Sequence, residues 1–268
     1  VDRAQLPSTP SSPNVSRSLM LALMVGLGLG LAAAYVLEIL DDTVRTPEEM
    51  ERITGLSTLG VIPKVATQSS FEIEIADARS ALSEAYRSLG TSLQFTTDRG
   101  LPKTLVITSA GPSEGKSSTA LAISRHFATL GLKVLLVDGD LRNPSMHKKL
   151  GLANVTGLSN YLTGSCSPPE AMQATAVPNL TFMPTGPLPP NAADLLSSPR
   201  LQSLLTIGQE VFDFILIDGP PVMGLADANI LSSASSATMF VVGAGEARGG
   251  TMRSALRRLE ATRAPLIG

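Results

Sequence analysis

Residues 105–118, Leu-Val-Ile-Thr-Ser-Ala-Gly-Pro-Ser-Glu-Gly-Lys-Ser-Ser, carry the side chains best suited to handling phosphate. A short apolar, β-branched run ends in a small-residue loop, Ala110-Gly111-Pro112-Ser113-Glu114-Gly115, and Lys116, Ser117 and Ser118 then open a helix. The loop amides and the helix N-terminus offer donors and a positive dipole end. Lys116 is placed to reach the β- and γ-phosphates, and Ser117 to ligate Mg²⁺. The first glycine of G-x-x-x-x-G-K-[ST] would fall on Ala110, with Gly111 one residue later, so this is a variant P-loop. A nucleoside triphosphate is expected to bind, its phosphates held by residues 110–118. The stretch alone does not fix what happens to the terminal phosphate.

Three carboxylates follow apolar runs at matching points. Asp138 and Asp140 lie in Val137-Asp-Gly-Asp-Leu-Arg142, and Asp218 follows Phe214–Ile217. Mg²⁺ offsets phosphate charge and takes a few hard oxygens plus water. Asp218 is expected at the metal, directly or through water. Asp138 and Asp140 sit two apart on an extended exit, so one can serve the metal while the other accepts a proton from an incoming hydroxyl or orients a water. The expected metal set is Ser117, Asp138 and Asp218, and the expected catalytic set is Lys116, Asp138, Asp140 and Asp218. Any one of these aspartates alone could be a helix cap; three beside a P-loop read as a site. Arg142 is a candidate phosphate contact whose alternative is to pair with an acid.

These residues need a frame that brings them to one edge. Apolar runs at 105–108, 134–137, 180–183, 214–217 and 239–242 alternate with helical segments, among them 117–130 closed by Gly131. That pattern predicts an α/β fold, a P-loop NTPase-type parallel sheet with helices on both faces. Ligands of such sheets sit at the carboxyl ends of the strands, where all the candidates fall. Upstream, Thr46-Pro47-Glu48-Glu49 predicts a capped helix over 46–54, with Gly55 ending it. Residues 59–62 are expected as a short strand, 66–70 as a polar link, and 77–95 as an amphipathic helix with Ala81, Leu82, Ala85, Leu89 and Leu93 on one face.

Composition narrows the class. The net charge is −2, aromatics make up 4%, and there is no Trp, which leaves no electrostatic or stacking case for nucleic acid. The single cysteine, Cys166, excludes an intrachain disulfide and fits a reducing compartment. Residues 1–17 are Pro/Ser-rich. Ser18–Leu37 then runs twenty residues without a charge, between Arg17 and Glu38. At 1.5 Å per residue this spans about 30 Å, the thickness of a bilayer's hydrocarbon core. Gly26 and Gly30 form a G-x-x-x-G pair suited to close helix approach in lipid. A transmembrane helix is expected over 18–38, against the alternative of a buried core helix.

Taken together, these segments resemble the bacterial tyrosine kinases of capsule and exopolysaccharide systems, fused to the end of a polysaccharide chain-length determinant domain. The resemblance covers nearly the whole chain. It rests on the Pro-rich segment before the apolar helix, Leu40-Asp-Asp-Thr-Val-Arg-Thr-Pro-Glu48, and Glu84-Ala-Tyr-Arg87. It rests further on 109–118 as Walker A, 137–142 as Walker A′, Ile217-Asp-Gly-Pro-Pro221 as Walker B, and Pro189-Pro-Asn191 followed by Leu195-Leu196. It implies ATP- and Mg²⁺-dependent phosphorylation of tyrosine, including autophosphorylation, acting on tyrosine-containing protein substrates and on polysaccharide polymerisation and export. It also implies a kinase domain, 77–268, on the cytoplasmic side of the inner membrane, a juxtamembrane segment at 39–76, and a periplasmic 1–17. Glu84 and Arg87 match a family motif for ring assembly with further copies.

Three positions depart from that pattern. The family's tyrosine-rich tail is missing: the only tyrosines are Tyr35, Tyr86 and Tyr161. A sequence that starts on Val1 and stops at Gly268 while entering another strand is expected to be a fragment. Gly90 stands where the ring motif carries its second arginine, and glycine there weakens a helix by about 1 kcal/mol relative to alanine. Ser113 replaces a common glycine of the loop. Two rival readings are a membrane-associated switch ATPase of the partition and cell-division type and a polysaccharide co-polymerase with a decayed nucleotide domain. The first would carry a second lysine where Gly111 stands; the second does not explain intact Lys116, Ser117, Asp138, Asp140 and Asp218. Tyr86 is expected to pack or to be modified, and Lys148 and Lys149 are read as a solvated face.

Overall fold

The computed structural model describes residues 14–65, 68–77, 79–97 and 100–268. Most of the Pro/Ser-rich segment therefore lies outside the described residues. The chain divides into two compact units, Val1–Asp42 and Thr43–Gly268. The first consists of α1 (Val15–Leu40), capped by the Asn14 side chain on the Arg17 amide. Its described side chains are exposed along the helix. By length and composition it is the one described helix apolar enough to cross a membrane.

The second unit opens with α2 (Pro47–Thr54), whose cap Thr46, first-position proline and left-handed Gly55 agree with the sequence. α3 (Gln68–Ala76) and α4 (Ala81–Gln94) follow. Then come β1 (Thr104–Ser109), α5 (Lys116–Thr129), β2 (Val134–Asp138), α6 (Met146–Leu150) and α7 (Leu158–Leu162), and after a 3₁₀ turn β3 (Gln173–Ala174) and β4 (Leu180–Met183). α8 (Ala192–Leu196), α9 (Pro199–Val211), β5 (Phe214–Asp218), α10 (Asp227–Ala234), β6 (Ala237–Val241) and α11 (Gly249–Ala261) complete it.

The strands order as β3-β4-β2-β5-β1-β6. All pairings are parallel except β3 with β4. β1, β2 and β5 are buried along their whole length, which is why they read as unbroken apolar runs instead of alternating ones. The antiparallel β3 escapes sequence reading because two residues, Gln173 and Ala174, carry no period. One core cluster includes Leu89, Leu105, Ile123, Phe127 and Phe214; a second includes Leu135, Leu158, Leu201 and Ile215.

Several expectations need correction. Residues 59–62 are not a strand. They hold no regular element, with Leu59 and Ile62 packed on the core, while hydrogen bonds along β6 are made by 265–268 instead. Residues 68–70 belong to α3, and 66–67 lie outside the described residues. The helix expected over 77–95 begins only at Ala81, because the Ser80 hydroxyl accepts from the Ser83 amide and caps it there. Its buried stripe is Leu82, Tyr86, Leu89, Gly90 and Leu93, and Ala81 faces out.

Gly90 is not a weakness in α4. A Cβ built on it would come 2.5 Å from His126 Cδ2 and 2.7 Å from Nε2. Glycine here lets α4 close on α5, so alanine's advantage in helix propensity would be spent displacing the imidazole.

Candidate active site

The phosphate loop grows out of β1. At its turn Ser113 holds φ at +62°, a left-handed conformation that explains why glycine suits the position and that serine occupies at some strain. Glu114 organises the loop from within: one carboxylate oxygen accepts the Gly111 amide at 2.6 Å, the other the Gly243 amide at 3.3 Å. Burial pushes this carboxyl up, and the two backbone donors pull it back. Lys116 folds into the loop, its Nζ donating to Ser109 Oγ at 2.9 Å and to the Gly111 carbonyl at 3.2 Å. Desolvation lowers its pKa, against the charges of Asp218, Glu114 and Asp140.

The carboxylates converge as the spacing predicts. Asp138 and Asp218 are register partners at the ends of neighbouring β2 and β5. Gly139 then follows Asp138, donating its amide to the Asp218 carbonyl at 2.9 Å; a Cβ there would sit 2.8 Å from Ile217 Cγ2, so only glycine allows the approach. Asp138 is buried and accepts from the Asp140 and Met146 amides. Asp140 is half-buried, one oxygen accepting from the Arg142 and Asn143 amides. Asp218 Oδ1 is buried without a partner among the described residues.

Burial, then the Asp218 charge, pushes Asp138 up to about 8. Burial pushes Asp218 up to about 7, against the Ser117 hydrogen bond and Lys116. Two desolvated acids side by side, one with an orphaned oxygen, fit a hard dication. No group of three His, Cys, Asp or Glu side chains among the described residues encloses a metal alone. Mg²⁺ held with substrate phosphates needs no such group.

Arg142 takes the second of its two expected roles. Its Nε donates to Asp227 Oδ2 at 2.7 Å and a second guanidinium nitrogen to Oδ1 at 3.2 Å. Asp227 is fully buried in the first turn of α10, so the pair ties the β2 exit to that helix, and no phosphate role is needed to explain it. Lys149 departs from its reading as a solvated face: its Nζ donates to Ser118 Oγ at 3.2 Å, and its charge acts on Asp218. Nothing in a Lys-Lys run marks this; only the fold of α6 against α5 does. Glu84 and Arg87 pair with each other at 2.7 Å on the exposed face of α4. Tyr86 is packed, its hydroxyl 3.4 Å from Thr119 Oγ1. A cavity of about 540 Å³ opens beside the loop, lined in part by Ser113, Ser118, Thr119, Val242 and Phe71.

Residues 103–248 match the AAA domain family. Tyrosine-protein kinase YwqD of Bacillus subtilis is 35% identical over 196 residues, covering 73% of this chain and 83% of YwqD. The chain belongs to the bacterial tyrosine-protein kinases. Tyrosine-protein kinase CpsD of Streptococcus agalactiae is 31% identical, over 73% of this chain and 87% of CpsD. EpsB of Ralstonia solanacearum is 30% identical over 97% of this chain, which includes most of the apolar helix, yet the chain spans only 36% of EpsB. Among solved structures, the kinase domain of Escherichia coli tyrosine kinase ETK superposes with a TM-score of 0.78 at 26% identity, over 84% of this chain and 92% of that one. The septum site-determining protein MinD of Pyrococcus horikoshii, a representative of the switch-ATPase rival, reaches 0.54 at 23% identity and shares the fold alone.

Proposed function

We propose that this kinase transfers the γ-phosphoryl group of ATP to tyrosine hydroxyls of protein substrates and thereby regulates polymerisation and export of a capsular or exopolysaccharide. The observation that carries the reading is the meeting of a P-loop lysine with two buried, proton-retaining carboxylates at adjacent strand ends. Lys116 and the amides of 110–118 hold the phosphates; Ser117, Asp138 and Asp218 would hold Mg²⁺. Bound there, Mg²⁺ would neutralise charge on the phosphate oxygens. Asp140, the least buried of the three acids, takes the tyrosine proton as the new P–O bond forms and the bond to the ADP oxygen breaks.

The acceptor is not presented by these 268 residues. Tyr86 and Tyr161 are 4% and 6% exposed, and Tyr35, though 69% exposed, belongs to the apolar helix α1. A protein substrate, or sequence outside these residues, must supply it. We further read α1 as a transmembrane helix of the inner membrane, with Thr43–Gly268 on the cytoplasmic side, next to the polysaccharide machinery. The exposed Glu84–Arg87 face is where further copies would assemble into a ring.

Incubation of the chain with γ-labelled ATP, Mg²⁺ and a Glu/Tyr random copolymer as acceptor tests the site. Lys116→Met and Asp140→Asn should each lower phosphotyrosine formation on the order of 10²–10⁴-fold while leaving the melting temperature within a few degrees. Undiminished labelling in both variants would refute the assignment.

A further inference from the structure

Lys149 reaches the P-loop helix by a side-chain hydrogen bond, Nζ to Ser118 Oγ at 3.2 Å. The ammonium also lies 6.0 Å from the centroid of the Phe71 ring. The hydrogen bond and the aromatic face help to hold a long, flexible side chain in place. The backbone supports this placement from the other end. The Met146 amide donates to Asp138, which anchors the start of α6 to the metal edge and carries Lys149 across to α5.

The position along the nucleotide follows from the loop. A P-loop lysine reaches the β- and γ-phosphates, and the hydroxyl after it meets the metal. Ser118 is one residue further into the helix and lines the cavity of about 540 Å³, as do Phe71, Ser113 and Thr119. A nucleotide with its terminal phosphates at Lys116 and its nucleoside in that cavity must carry its α-phosphate past Ser118.

We infer that the Lys149 ammonium binds the α-phosphate of the nucleotide, a second phosphate cation supplied by α6 at the junction between the P-loop and the cavity. This rests on the ATP reading above. In binding, Ser118 exchanges its place as the ammonium's partner for the phosphate oxygen, and Phe71 keeps the side chain aligned. Lys149 thus contributes to holding ATP and ADP alike, and little to the transfer step.

The test is calorimetric binding of ATP, ADP and adenosine, each with Mg²⁺, to the full chain in detergent, for wild type, Lys149→Met, Lys149→Gln and Lys149→Arg. One charge-assisted hydrogen bond corresponds to a change of about tenfold or more. ATP and ADP should therefore each bind about tenfold more weakly to the Met and Gln variants, with adenosine unchanged, the Arg variant within about threefold of wild type, and KM raised with kcat nearly constant. Unchanged ATP and ADP affinity in a folded Met or Gln variant overturns the inference. So does an equal loss for adenosine, which would make Lys149 a packing residue. So does a loss confined to ATP, which would place it at the γ-phosphate. Failure of the wild type to bind ATP at all is a different result, and overturns the nucleotide reading itself.

Discussion

Asp218 holds its proton because it is buried at the end of β5 with Oδ1 unpartnered. Its folded pKa, near 7, exceeds the ordinary 3.8, so the folded state binds the proton more tightly than the unfolded chain does. The stability this contributes is fully present below about pH 4 and is lost as pH rises through 7. Asp138, pushed to about 8, acts in the same direction. Nucleotide-free protein should therefore melt lower at pH 8 than at pH 5. Asp218→Asn should remove part of that loss, its gain over wild type growing toward pH 8 to on the order of 5–10 °C while it weakens Mg²⁺-nucleotide binding. A thermal melt series at both pH values checks this; a variant less stable than wild type at pH 8 contradicts it. The carboxylates and the P-loop were legible in the chain because each follows an apolar run directly, so strand ends and site coincide. Glu114's contact with the Gly243 amide and the Arg142–Asp227 pair were not, because their partners lie 129 and 85 residues away.

At the scale of elements, strands buried on both faces are easiest to read: β1, β2, β4 and β5 fall within a residue or so of expectation. Errors gather where geometry is decided by neighbours. The 59–62 segment satisfies the apolar pattern of a strand but is not part of the sheet, its Leu59 and Ile62 packing on the core, and Ser80, not composition, sets where α4 begins. Gly90 shows the same dependence on a neighbour. Restoring an arginine there, Gly90→Arg, should lower the melting temperature by several degrees, since even its Cβ collides with His126. His126→Ala in the same chain should recover most of the loss. Additive losses in the double variant, measured by melting, would show that the imidazole is not the obstacle.

At the scale of the whole molecule, one apolar helix precedes a nucleotide-handling unit on a single chain, and the matching relatives are tyrosine kinases. The two burial patterns are opposite: α1 exposes its leucines, while β1, β2 and β5 bury every residue. By length and composition α1 is apolar enough to cross a membrane. The central claim concerns the fate of the terminal phosphate, on which the kinase and switch-ATPase readings part. The most direct measurement supplies γ-labelled ATP, Mg²⁺ and a Glu/Tyr random copolymer to the full chain in detergent, then separates phosphotyrosine from free phosphate. The account predicts label on copolymer tyrosine, dependent on Lys116. Release of the label only as free phosphate, with none on tyrosine, would contradict it.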